Sequence, residues 1–121
     1  MSLLTPAEYR ALMKNQPKYS NEKTPYGGRL YSSKAEASYA AELDLKIRAG
    51  IVDHWQAQVR YALHAFPSGA RVGDYVADFV VVYTDGHEEV VDTKGFETQL
   101  FKWKRKHWEI EYSRKLILVK R

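Results

Sequence analysis

The sequence predicts an α/β domain with a mixed sheet and helices on its faces. A helical pattern runs from Ser33 to about Ala49, and short apolar runs rich in β-branched and aromatic residues follow it. A second helical pattern then separates these runs from a last strand, which is the order expected of an α/β fold. At 121 residues the chain can build one hydrophobic core, so its function lies on one domain or between copies of it.

The first part of the chain predicts a short helix and a polar arm. Thr5 as cap and Pro6 in the first turn favour a helix over residues 5–14. Residues 15–28 are polar and carry proline and glycine, which is typical of a loop, and a short extended piece follows. We assign residues 1–30 to an N-terminal helix and arm, and residues 31–121 to a single folded domain.

The rest of the chain predicts four or five strands and two helices. Ser33 opens the first helix and Gly50 ends it, and residues 51–66 then predict one strand or a pair of strands. The run "YVADFVVVY", residues 75–83, predicts a strand buried on both faces. After the turn "TDG", "HEEVVDTKG" predicts the next strand, residues 97–112 a helix, and "KLILV" a closing strand.

Composition excludes several classes of protein. The chain has no cysteine, so disulfides, thiolate zinc sites and cysteine nucleophiles are absent. Four scattered histidines lack the spacing of zinc ligands. No apolar run reaches the roughly 20 residues of a membrane span, and the N-terminus lacks the layout of a secretion signal. We therefore expect no membrane partner and a cytoplasmic location.

The positive charge is concentrated near the C-terminus. Residues 93–121 hold nine Lys and Arg against three Glu, whereas residues 1–92 hold ten against twelve Asp and Glu. A basic C-terminal third favours a polyanionic partner such as nucleic acid. A solvated basic helix face is the alternative.

Asp78 and Asp92 are the acids that the apolar strands do not explain. If Thr84, Asp85 and Gly86 form a three-residue hairpin loop, Asp78 lies directly opposite Asp92, on the same face of the sheet. Like charges so placed are destabilising unless a cation binds between them. A two-residue loop would put Asp92 on the other face, and an acid bonded to a backbone amide at a sheet end is the alternative role for Asp78.

Lys94 and Glu36 extend this pair. Lys94 follows Asp92 by two residues and so lies on its face, where it would orient a water or neutralise a phosphate, while the acids hold Mg²⁺ or Mn²⁺. As an isolated motif, Asp92 and Lys94 would be a surface ion pair. Glu36 continues the apolar stripe of the first helix and would reach the metal from its rim. Its alternative role is a capping box with Ser33.

The second helix mixes an apolar and a basic stripe. Its apolar stripe is predicted to face the sheet and comprises Leu100, Trp103, His107 and Ile110. Its basic residues, Lys102, Lys104, Arg105 and Lys106, would track a phosphate backbone. A DNA partner is therefore expected.

The ordered set of a helical glutamate, "YVADF" and "VVDTKG" resembles the PD-(D/E)XK nuclease superfamily, with Asp92-Thr93-Lys94 as the (D/E)-x-K element. Residues 27–52, 75–86, 90–95 and 101–112 are similar to a family of small phage and prophage proteins of unknown function that are thought to be nucleases. That pattern is in turn similar to phage Holliday-junction resolvases of the endonuclease I type. The resemblance covers roughly residues 18–119, and Ala77 stands where the superfamily has proline.

The resemblance implies a restriction-endonuclease-like α-β-β-β-α-β core and a metal-dependent DNA endonuclease in a bacterial host cell, selective for branched DNA. It implies that Glu36, Asp78, Asp92 and Lys94 are catalytic and that the three acids bind metal. A homodimer is expected where two strands are cut, because so small a domain holds one site. A non-catalytic DNA-binding or assembly protein is the main alternative, and an RNA-directed nuclease is the second.

Overall fold

The computed structural model describes residues 23–120. Its elements are, in order, β1 (Thr24–Tyr26), β2 (Arg29–Tyr31), α1 (Lys34–Arg48), β3 (Val52–His64), β4 (Arg71–Tyr83), β5 (Glu88–Thr93), α2 (Gln99–Glu111) and β6 (Ile117–Val119). The helix predicted over residues 5–14 lies outside the described residues. From α1 onward the order is α-β-β-β-α-β, and the predicted α/β fold class is confirmed.

The main sheet is mixed and has the strand order β3-β4-β5-β6. Strands β3, β4 and β5 pair antiparallel, and β6 pairs parallel to β5. A parallel neighbour requires a crossover connection, which α2 provides. No helix in the part of the chain from residue 23 to residue 120 is long and apolar enough to cross a membrane.

Helix α1 forms where the sequence predicts it, because both of its ends are specified. Ser33 has an extended backbone, and its hydroxyl accepts a hydrogen bond of 3.1 Å from the Glu36 N–H. Ala49 is the C-cap, and Gly50 follows with φ 76°, a left-handed conformation that glycine adopts without strain. This fixes the rim of the helix at which Glu36 lies.

The two helices cover opposite faces of the sheet. On the α1 face, Ala40 and Leu43 pack with Phe79, Val81 and neighbouring residues in one buried cluster. On the α2 face, a second cluster comprises Leu63, Tyr75, Ala77, Val80, Val90, Trp108 and Leu116. The sheet therefore lies between two cores, and a side chain at its end can be approached from either helix.

Strands β3 and β4 change the face they present at one position. Ala57 and its partner Phe79 belong to the α1 side, whereas Val59 and its partner Ala77 belong to the α2 side. In a regular strand, residues two apart would stay on one face. Between the two pairs lies Gln58, whose φ of 56° is left-handed.

The N-terminal polar stretch contains a hairpin that the sequence does not predict. Residues 24–26 were expected in a loop but pair with β2 as a strand. Gly27 and Gly28 form the turn with φ of 57° and 80°, values that suit a type I′ hairpin. The hydroxyl of Tyr26 donates to Asp44 of α1 at 2.6 Å. The hairpin is thereby attached to the α1 side of the domain.

Helix α2 buries a different stripe from the predicted one, and of the four predicted residues only His107 contacts the sheet, through the His64 carbonyl at 2.9 Å. Leu100, Trp103 and Ile110 are exposed rather than facing the sheet, and Trp108 is fully buried. Phe101, Trp108 and Tyr112 also follow helical spacing, and they pack in the α2-side cluster. The two stripes compete, and the buried one is that whose aromatic rings pack against Tyr61 and Tyr75.

The two tryptophans of α2 give a direct test of this orientation. Trp108→Ala should lower the free energy of unfolding by about 3–5 kcal/mol, since it empties a packed site. Trp103→Ala, on the same helix, should change it by less than about 0.5 kcal/mol, because the side chain is largely in water. Urea unfolding of both variants measures the difference, and similar losses would show that the helix is oriented otherwise.

Candidate functional site

The register of the β4–β5 hairpin places Asp78 opposite Asp92. The Tyr83 N–H bonds to the His87 carbonyl at 2.9 Å, and Gly86 takes φ 95° in the loop. The pairs then run from Val82–Glu88 to Phe79–Val91, so Asp78 and Asp92 are the next opposed pair. The predicted three-residue loop and register are confirmed.

Beyond Phe79 and Val91, side chains replace carbonyl groups as the acceptors between the strands. One oxygen of Asp92, Oδ1, accepts from the Asp78 N–H at 2.9 Å. In return, Asp78 Oδ2 accepts from the Thr93 N–H at 2.9 Å and from the Thr93 hydroxyl at 3.1 Å. These bonds fix both carboxylates against the backbone. Asp78 thus has the predicted amide partner as well as its place beside a second acid.

This acid pair is buried and carries an electrostatic cost. Asp78 is 7% exposed and Asp92 is 1% exposed. Burial, and next the charge of Asp78, raise the pKa of Asp92 to about 7, while a hydrogen bond from the Tyr75 hydroxyl and the charge of Lys94 oppose that rise. A cation bound beside the two carboxylates would relieve the cost.

Lys94 lies beside the pair, as predicted from strand parity. Its N–H donates to the Val119 carbonyl at 3.0 Å, which continues the pairing of β5 with β6. Its ammonium stands 4.6 Å from the centre of the Phe101 ring of α2. The positive charge of Lys94 acts on both Asp92 and Glu36, lowering the pKa of each carboxyl against the effect of burial.

Glu36 approaches from the α1 side. Its N–H is capped by Ser33, but its carboxylate accepts from the Ser32 hydroxyl at 2.5 Å and from the Gln58 amide at 3.3 Å. Burial raises the pKa of Glu36, the bond from Ser32 lowers it, and the charge of Asp78 raises it further. Glu36 is thus within electrostatic range of Asp78 and Lys94, but its oxygens are bound to other partners.

An open cleft of about 520 Å³ exposes one side of this cluster. Asp92 and Tyr75 line it, and Lys94 and Lys104 add positive charge, while Arg60 is paired with Asp74 in the same lining at 2.8 Å. The cleft therefore offers an anion a route to Asp92 beside two lysines that would bind it.

The donor set fits a hard divalent cation in part. Carboxylate oxygens are the ligands that Mg²⁺ and Mn²⁺ prefer, and the Asp78–Asp92 pair supplies two carboxylates whose repulsion a cation would offset. Within residues 23–120, however, no group of three or more His, Cys, Asp or Glu side chains is arranged to hold a metal. Glu36 would join such a site through water or after its side chain turns away from Ser32.

The four basic residues predicted to bind DNA are divided by the structure. Lys104 lines the cleft together with Lys94. Lys102, Arg105 and Lys106 line a separate groove of about 510 Å³. Arg105 is engaged in ion pairs with Glu97 at 3.7 Å and Glu109 at 3.5 Å. The four residues therefore lie on two surfaces, and of them only Lys104 lines the cleft with Asp92.

Two residues of the site were missed in the sequence. Tyr75 opens the "YVADF" run of the buried strand, and its hydroxyl also donates to Asp92. Burial and the charge of Asp92 raise the pKa of Tyr75, so it remains a donor. Gln58 lies opposite Asp78 across β3 and β4 and binds Glu36. A left-handed glutamine in a strand leaves no signal in the sequence.

Gln58 can be tested by comparison with Gln56 in the same strand. Gln58→Gly should keep the free energy of unfolding or raise it by about 1 kcal/mol, because glycine adopts φ 56° without strain. Gln56→Gly should lower it by about 1 kcal/mol, since glycine weakens a regular strand. Thermal or urea unfolding compares the two, and equal losses would argue against strain at Gln58.

Asp92 predicts a dependence of stability on pH. The folded protein binds the Asp92 proton more tightly than the unfolded chain, so the stability that this group contributes is lost as the pH rises from about 4 to about 7. Asp92→Asn should therefore be more stable than the wild type at about pH 8, by on the order of a few kcal/mol, and the gain should vanish near pH 4. Unfolding curves across this range, measured without divalent cations, test the prediction. A constant difference would contradict it.

Residues 16–121 match a protein family described as "Protein of unknown function (DUF1064)". No curated protein and no solved structure gave a significant match to the chain. The matched region includes every element from β1 to β6 and all the acids and lysines of the site. Because the match covers most of its length, the chain belongs to the DUF1064 family.

Proposed function

We propose that the protein is a Mg²⁺-dependent DNA endonuclease that hydrolyses phosphodiester bonds at the Asp78–Asp92 pair. The observation that supports this most directly is the opposition of two buried carboxylates beside Lys94, one of which, Asp92, lines an open cleft together with two lysines. A protein that needed only stability would gain by replacing one acid with its amide, which keeps an acceptor oxygen for the backbone and removes the like charge. Buried, perturbed acids in a cleft are typical of functional sites.

Each residue has a role that follows from its position. Asp78 and Asp92 would hold the cation, because their carboxylates are fixed against the backbone. Lys94 would orient the attacking water or neutralise charge on the phosphate. Tyr75 would keep Asp92 in place through its hydroxyl. Glu36 would act on the cation through water, held until then by Ser32 and Gln58.

Mg²⁺ bound at the pair would neutralise the scissile phosphate and favour deprotonation of the attacking water. The protein itself contributes the positions and the positive charges of its lysine side chains. The cleft admits a phosphate beside Lys94, and Lys104 stands at the same cleft to bind a neighbouring one. Lys102 and Lys106 would bind the backbone on the other side of α2. Mn²⁺ would substitute, because it accepts the same oxygen ligands.

The narrower assignments belong to the same proposal. The motifs "YVADF" and "VVDTKG", in this order of elements, favour the PD-(D/E)XK superfamily and an origin in phage or prophage, with action in the bacterial cytoplasm. Selectivity for branched DNA is part of that assignment. Because a domain of 121 residues holds one such site, cutting both strands would require a homodimer or two encounters.

A second candidate is a DNA-binding or assembly protein without catalysis. It is favoured by one observation: over the described range, 23–120, three carboxylates are not grouped around a metal position. The lysines of α2 would then bind DNA, and the acid pair would have a structural role without catalysis. The two candidates differ in whether Mg²⁺ allows cleavage.

Substitution of the acid pair separates the two candidates. Wild-type protein should cleave DNA with Mg²⁺ or Mn²⁺, and Asp78→Asn, Asp92→Asn and Lys94→Ala should each lower the rate by a factor of about 100 or more. DNA binding should persist in the two Asn variants, because Asn keeps the shape of the site. A panel of labelled four-way junctions, flaps, single strands and duplex, with matched RNA, measures both rate and affinity.

The matched control is Asp53→Asn, which removes an exposed acid at the far end of β3. It should cleave like the wild type. Wild-type protein that binds these DNAs but cuts none of them with either metal would support the non-catalytic alternative. Preferential cutting of the RNA would redirect the proposal to an RNA substrate.

A further inference from the structure

Helix α2 exposes an apolar ridge on its outer side. The ridge is formed by Leu100, Trp103 and Ile110, which are 62%, 54% and 70% exposed. His107 adjoins it, with its ring 5.2 Å from that of Trp103. Exposing large apolar side chains in a row costs free energy in water, so such a surface usually marks a binding site.

Positive charge flanks this ridge on both sides. Each residue turns an α-helix by about 100°, so Trp103 and Ile110 project about 20° apart, with Lys104 to one side and Lys106 to the other. The two cavities agree with this placement. Leu100 and Lys104 line the cleft of the acid pair, whereas Ile110 and Lys106 line the groove on the far side.

The groove adds cations that the sequence did not suggest. Arg114 and Lys115, in the turn after α2, line it together with Lys102 and Lys106. Arg114 bonds to Glu88 at 2.8 Å, and Glu109 is the acid in the groove. The lysines therefore give the groove a positive balance, and the ridge separates it from the catalytic cleft.

Charge distinguishes between the occupants that an apolar ridge could accept. A second copy placed ridge to ridge would bring the lysines beside one ridge against those beside the other, and like charges at such an interface are destabilising. A ligand with an apolar surface and negative charge on both sides fits better. Unpaired nucleotides have this chemistry, since their bases stack on aromatic rings while their phosphates bind lysine. In a duplex the base faces are already covered.

We propose that the ridge stacks unpaired nucleobases of a DNA substrate, with Trp103 as the stacking platform. Lys104 would bind the phosphates that lead into the cleft, and Lys102 and Lys106 those that cross into the groove. This proposal rests on the proposed function and makes its substrate class more specific. The preferred DNA has unpaired nucleotides next to the bond that is cut.

The test measures binding without cleavage. A fluorescein-labelled single strand of mixed sequence, and the blunt duplex formed with its complement, are titrated with protein in EDTA at fixed salt, and fluorescence anisotropy gives the Kd. Wild-type protein should bind the single strand about tenfold more tightly than the duplex, the effect of one stacked base. Trp103→Ala should remove the preference without weakening duplex binding, and Trp103→Phe should retain most of it.

The control is Leu45→Ala, which removes a side chain 60% exposed on the surface of α1 and should leave both Kd values unchanged. The proposal would be overturned if wild-type protein bound the two DNAs with equal affinity. It would also be overturned if Trp103→Ala weakened the binding of single strand and duplex by the same factor. A wild-type dimer that Trp103→Ala dissociates, by light scattering, would assign the ridge to a second copy. If the protein prefers single strands but cleaves no DNA, the result would support base stacking on the ridge and contradict the proposed nuclease activity.

Discussion

The pairing of β4 with β5 determines whether Asp78 and Asp92 lie together in one candidate site. Since side chains alternate along a strand, a shift of one residue would turn Asp92 to the other face and separate it from Asp78. Gly86 prevents that shift by closing a three-residue loop in a left-handed conformation. At the far end of the hairpin, the carboxylates themselves replace backbone acceptors. The backbone pairing of β4 with β5 thus fixes the positions of the two acids, and the acids accept the last hydrogen bonds between these strands.

The change of face at Gln58 explains how residues from two helices reach one place. Without it, β4 would present its odd-numbered residues to α1 throughout, and Tyr75 would be on the wrong side to hold Asp92. With it, Asp78 lies where the sheet passes from one core to the other. Its charge can therefore act on Glu36, in α1, and on Asp92, on the α2 side of the sheet.

Much of this arrangement could be predicted because it depends on local rules. Turn chemistry gave the register and strand parity placed Lys94 beside Asp92. Two features could not be obtained in this way. The stripes of Trp103 and Trp108 both have helical spacing, so only packing against the sheet decides which is buried. The backbone at Gln58 is set by its tertiary surroundings, and a glutamine in a strand has no propensity for a left-handed conformation.

Three features of the structure are unfavourable for folding, and two of them adjoin one cleft through Asp92 and Leu100. The Asp78–Asp92 pair is buried with like charge, Gln58 has a left-handed backbone, and the apolar ridge bearing Trp103 stands in water. Each costs on the order of 1 kcal/mol or more, in a domain whose total stability is a small multiple of that. Gln58 lies opposite Asp78 in the pairing of β3 with β4, so it adjoins the acid pair through the strand rather than through the cleft. Under the proposed function one ligand would stabilise the acid pair and the ridge together: an anionic polymer with bases to stack, bound with a divalent cation.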